Sequence, residues 1–69
     1  MLYGLELELW EDAGSGVRLV ERFYCSHNLK FAIENAESER MRLSGIRGKK
    51  YIVRVRDIYM NEVLYETHT

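Results

Sequence analysis

Proline is absent from these 69 residues, cysteine occurs once, and no apolar run approaches the ~18 residues of a membrane span. Each absence excludes something. Without proline, no rigid linker or proline-marked domain boundary divides the chain. A lone Cys25 cannot close an internal disulfide, so the stapled framework of small secreted domains is excluded. The opening M-L-Y-G-L-E-L-E-L-W lacks the cationic start and unbroken apolar stretch of a signal peptide. These features together predict a cytoplasmic protein with no membrane association, forming one small domain over residues 1–69.

A chain this short buries only about 60% of the surface its unfolded form exposes, so its core is thin. Small domains usually compensate with disulfides, a metal or a partner subunit. With the first excluded and no metal signature in the sequence, self-association as a homodimer is the expected remedy.

One stretch has helical rather than strand periodicity. In Asn28–Gly45 the apolar residues Leu29, Ala32, Ile33, Ala36 and Leu43 form a single stripe, interrupted only by Arg40. Asn28 or Ser26 is placed to cap its start. The acids Glu34, Glu37 and Glu39 precede the bases Arg40 and Arg42, as the helix dipole favours, and Gly45 is expected to end the helix in a left-handed conformation.

The flanks alternate with period two. Leu5, Leu7 and Leu9 interleave with Glu6 and Glu8, and after the turn residues of E-D-A-G-S-G an extended pattern resumes over Val17–Cys25, predicting a hairpin. With Leu9 opposite Leu19, Trp10 falls beside Arg18, Glu6 beside Arg22 and Gly4 beside Tyr24. Glu21 would then point coreward, which calls for a bulge near Val20 or a strand end open to solvent. After the helix, Tyr51–Asp57 alternates again. R-D-I-Y-M-N-E-V-L-Y-E reads as strand, turn, strand, with Asn61 left-handed and Val63 and Tyr65 on the core face. A second helix capped by Asp57 and running to Glu66 is the competing pattern, but the β-branched and tyrosine-rich flanks favour the hairpin.

The fold class that follows is α+β: a β-β-α-β-β domain whose four-stranded antiparallel sheet has the order 2-1-3-4, with one helix on one face. The helix stripe is expected to pack on Leu5, Leu7, Leu9, Leu19, Val53, Val55 and Val63. One helix cannot cover both faces, so Trp10, Val20, Tyr24, Ile52 and Leu64 are left on the open face among Glu6, Glu8, Arg18, Arg22, Arg54 and Arg56. Such a mixed surface suits a protein partner. Trp10, Arg18, Val20, Arg22, Tyr24, Arg54 and Arg56 are the candidate partner-binding residues.

Charge is distributed unevenly. Residues 1–39 sum to −5, residues 40–56 contain seven bases and no acid, and residues 57–69 sum to −3. The basic segment offers an alternative function. Arg40, Arg42, Arg47, Lys49 and Lys50, with backbone amides near Gly48, could grip a nucleic-acid backbone. A net charge of −1 weighs against it, as does the dipole's own preference for cations at a helix end.

Signs of catalysis are few. Cys25-x-His27 and His68 hold three potential metal ligands, but two come from one strand end and one from the terminus. Cys25 reads as a small apolar residue at the rim of the core rather than as a nucleophile with His27 as its base. Ser15 lies between turn glycines with nothing to activate it. No cofactor is expected. The sequence therefore predicts a non-enzymatic protein-binding module, such as an adaptor, inhibitor or phage-type accessory protein. It would act through its open sheet face and self-associate.

Overall fold

The computed structural model describes residues 4–69; residues 1–3, which open the expected domain, lie outside the described residues. The chain runs β1 (Leu5–Asp12), β2 (Val17–Ser26), α1 (Leu29–Leu43), β3 (Lys50–Asp57) and β4 (Glu62–His68). The strands form one antiparallel sheet in the order β2-β1-β3-β4. Both the expected order and the α+β class hold, and the 57–66 segment is a hairpin rather than a second helix.

The core lies between α1 and one sheet face. Leu5, Leu7, Leu9, Tyr51, Val53 and Val55 meet Ala32, Ala36 and Leu43, and the helix packs mainly against β3. Ala32 and Ala36 are fully buried, which lets the helix backbone approach the sheet closely. The contact surface is therefore rotated from the expected one. Ile33 is half-buried and Leu29 is exposed, because the alanines rather than the larger residues sit nearest the sheet. The Asn28 side chain caps the helix by accepting from Phe31 N at 3.1 Å, and Ser26 Oγ accepts from Asn28 N at 3.0 Å.

The far end of the helix departs from expectation. Ser44, in a right-handed conformation, is the C-cap; its N–H donates to the Arg40 carbonyl oxygen at 2.9 Å and the Gly45 N–H to that of Arg42 at 3.4 Å. Gly45 is not left-handed. The left-handed glycine lies three residues on, at Gly48 (φ 76°), where the loop turns into β3. Asn61 is left-handed as expected (φ 56°).

Register also departs, for one recurring reason. In the first hairpin Leu9 faces Glu21, not Leu19, and Trp10 faces Leu19, not Arg18, because Val20 is an unpaired extra residue. A second irregularity leaves Cys25 unpaired, between Tyr24 opposite Glu6 and Ser26 opposite Leu5. In β4 the extra residue is Leu64, between Val63 opposite Arg56 and Tyr65 opposite Val55. An inserted residue reverses the facing of everything beyond it. Val63 accordingly leaves the core face for the open one, and Leu19 likewise lies on the open face beside Trp10. The central pair β1–β3 has no such shift.

Candidate interaction surface

The sheet face away from the helix is built by the even-numbered residues of β1 and β3. Glu6, Glu8, Trp10 and Asp12 point outward from β1, and Arg56, Arg54, Ile52 and Lys50 stand directly opposite them on β3. The edge strands extend these rows. Arg22 lies beside Glu8 and Glu66 beside Arg54, so one row across the sheet reads Arg22, Glu8, Arg54, Glu66, with alternating sign. The next reads Tyr24, Glu6, Arg56, Val63, and on the other side stand Leu19, Trp10, Ile52 and His68.

Within this face the charges are held. Glu8 Oε2 lies 3.1 Å from Arg22 Nη2 and 3.4 Å from Arg56 Nε, while Glu8 Oε1 accepts from Trp10 Nε1 at 3.1 Å. Glu6 Oε1 lies 3.3 Å from Arg22 Nε and 3.4 Å from Arg56 Nε. Only 3% of the Glu8 side chain is exposed, although no element covers it among the described residues. The long arginine stems and the indole screen it. Arg54 donates to Glu66 Oε2 at 2.6 Å, with its guanidinium 5.1 Å from the centre of the Trp10 ring, a cation–π contact. The Arg54 guanidinium and then His68 hold the Glu66 carboxyl below the usual range.

An apolar end adjoins this ionic centre. Gly4 receives the amide of Ile58 on its carbonyl oxygen at 3.0 Å. A methyl group added at Gly4 would stand 3.3 Å from Ile58 Cδ1, 3.4 Å from Tyr24 Cε1 and 3.7 Å from Tyr59 Cε2. The bare glycine lets these side chains converge. Tyr24 and Tyr59 are more than half exposed, Met60 more so, and Val63 is exposed nearby. The buried Asp57 shapes this corner, its Oδ1 accepting from Tyr59 N at 2.9 Å and Met60 N at 3.1 Å.

Of the seven residues expected to bind a partner, Trp10, Arg22, Tyr24, Arg54 and Arg56 share the open face. Arg18 does not join them. The Val20 bulge sets it opposite Glu11 on the helix side of the sheet, where its guanidinium lies 2.9 Å from Glu11 Oε1. Val20 is the bulged residue and faces no partner in β1. The Ile58–Met60 contribution was missed, although three apolar residues in a turn are themselves a signal, since turns ordinarily favour polar residues.

The basic segment is largely paired within the molecule. Arg40 Nε lies 2.8 Å from Glu37, Arg42 Nη2 2.7 Å from Glu39 and Lys49 Nζ 3.4 Å from Glu11. Arg18, then Lys49, hold the Glu11 carboxyl below its usual range, and Arg42 does the same for Glu39. Of the five cations, Arg47 and Lys50 alone make no ion pair among the described residues.

The structure does not gather Cys25, His27 and His68. Cys25 lies on β2 and His68 on β4, opposite edges of the sheet with two strands between, a separation of about 14 Å at the usual strand spacing. Burial pushes the Cys25 thiol up, away from a reactive thiolate. On the helix side, Leu7, Leu9, Phe23, Glu39 and Val53 border a shallow depression that encloses no room for a water molecule. No helix among the described residues is long and apolar enough to cross a membrane. Comparison with protein-family models, curated proteins and solved structures finds no match to this chain.

Proposed function

We propose that this protein is a non-enzymatic protein-binding module, cytosolic in setting, that docks through its open sheet face. The observation that carries this reading is the pairing of an ionic, arginine-rich centre with the aromatic end where Tyr24, Ile58 and Tyr59 meet over Gly4. Tyrosine, tryptophan, methionine and arginine are the side chains enriched at interfaces, where they combine large apolar area with polar handles. The sheet edges are poorer candidates. Both edge strands carry bulges, at Val20 and Cys25 in β2 and Leu64 in β4, and bulges on edges blunt strand-to-strand pairing. The helix-side depression encloses no cavity to set beside the few hundred cubic ångströms usual for a small-molecule site. Nucleic-acid binding has weaker support, because carboxylates of the same chain already engage Arg40, Arg42 and Lys49.

Photocrosslinking tests the reading. A photoreactive phenylalanine analogue is placed at Tyr24 on the open face or at Ser38 on the exposed side of the helix, and irradiated in cells expressing the protein. Protein adducts from position 24 and none from position 38 are expected; adducts from neither, or equally from both, contradict it.

A further inference from the structure

The charges of the open face pair within the sheet, and they also follow one pattern across it. All the charges that β1 turns outward are acidic (Glu6, Glu8, Asp12), and all those of β3, standing opposite in an unbroken register, are basic (Arg56, Arg54, Lys50). The edges continue the pattern, with Arg22 of β2 beside Glu8 and Glu66 of β4 beside Arg54. Each row is therefore antisymmetric about the line midway between β1 and β3. From this we infer that the occupant of the open face is a second copy of this chain, related by a two-fold axis that runs parallel to the strands between β1 and β3. This deepens the protein-binding function proposed above and rests on it.

Symmetry decides the axis. A two-fold along the strands carries β1 over the partner's β3 and β2 over its β4. Asp12 then lies over the partner's Lys50, Arg22 over the partner's Glu66 and Glu6 over the partner's Arg56, while Glu8, screened by the arginine stems and the indole, is in register with Arg54 of the partner subunit without facing it directly. The uncharged positions match too, with Trp10 over the partner's Ile52 and Tyr24 over the partner's Val63. A two-fold across the strands would instead set every strand over its own copy, acid on acid and base on base, which is strongly disfavoured. Self-complementarity of this kind is what an isologous interface requires, and aligned sheets stack with only about 30° between their strands, so rows near the axis stay matched.

Size permits it. A standard interface takes about 800 Å² from each partner, roughly one-sixth of the 4748 Å² this chain exposes. The broad face of a body 42 by 22 by 15 Å in extent can supply that area.

The axis makes a selective prediction. In Asp12→Lys, each copy sets its introduced amine over the partner's Lys50; in Lys50→Glu, each sets its introduced carboxylate over the partner's Asp12. Both homodimers gain two repulsions, yet an equimolar mixture restores two attractions per heterodimer. Sedimentation equilibrium at low salt should find wild type dimeric, each variant alone weakened about tenfold or more, and the mixture dimeric again. A strict wild-type monomer at high micromolar concentration overturns the dimer, while crosslinking at Tyr24 still decides separately whether the face binds some other protein. Variants that dimerise as well as wild type overturn the axis.

Wild-type fluorescence supplies a check that needs no variant to fold. Emission of the single tryptophan, Trp10, should shift to the red on dilution as it leaves the partner's Ile52, and emission constant across the dilution range overturns the proposal.

Discussion

The Tyr65 hydroxyl donates a hydrogen bond to Glu37 Oε2, tying the last strand to the middle of the helix across 28 residues of sequence. Tyr65 first, then Arg40 and Thr67, bring the Glu37 carboxyl from an ordinary 4.5 down to about 2. A carboxyl whose folded pKa is depressed contributes stability that is fully present above its unfolded pKa and lost as pH falls through the folded value. Tyr65→Phe should therefore melt below wild type at neutral pH, with the gap narrowing between pH 4.5 and about 2, where Glu37 is protonated in both. Thermal unfolding across that range checks it, and a gap that stays constant would deny the bond its part.

Close seating of the helix rests on Ala32 and Ala36, both without exposed surface. Ala36→Leu adds volume where the helix meets β3 and should cost about 1–3 kcal/mol by overpacking. Ser38→Leu, on the exposed side of the same helix, should change stability by less than about 0.5 kcal/mol. Urea denaturation of the two variants distinguishes them.

Glu8 gathers three donors while almost wholly screened from water. Glu8→Ala leaves Arg22, Arg56 and the Trp10 indole without their common acceptor, although both arginines still reach solvent, and should destabilise by about 1–2 kcal/mol. Glu11→Ala, which frees two well-exposed cations, should cost clearly less. Chemical denaturation reads both.

If the basic segment were the working surface, DNA or RNA would be retarded at low salt. The Arg47, Lys49 and Lys50 to Ala triple variant would then lose that retardation equally for all sequences. With Arg40, Arg42 and Lys49 engaged by carboxylates, no retardation is expected for wild type in an electrophoretic shift assay.

Strand and helix identities were readable because period two and period 3.6 are written directly in L-E-L-E-L and in the Leu29–Leu43 stripe. The order 2-1-3-4 followed from chain connectivity. What the sequence did not disclose traces to single residues. A bulge near Val20 is one of the two readings that a coreward Glu21 allows, whereas the bulge at Leu64 carries no compositional mark, yet each reverses the facing of the residues beyond it. They sent Arg18 to the helix side and Val63 to the open one. Glu21 facing the core side hinted at the first; Val63, apolar on either face, gave no hint of the second. The convergence of Tyr24, Ile58 and Tyr59 joins segments over thirty residues apart, and no local pattern encodes it. The matched register of acidic β1 and basic β3 was half visible, since both alternations are in the sequence but their mutual alignment is set only by folding.

The proposed meeting of two copies of this chain through the open sheet face, rather than the helix face, is open to direct test. Amide chemical shifts of the ¹⁵N-labelled chain, followed from low to high micromolar concentration, test that most directly. Concentration-dependent shifts should concentrate at Glu6, Glu8, Trp10, Tyr24 and Arg54, with Lys30, Glu34 and Ser38 on the helix unmoved. Shifts centred on the helix, or none at any residue across the range, would contradict the account.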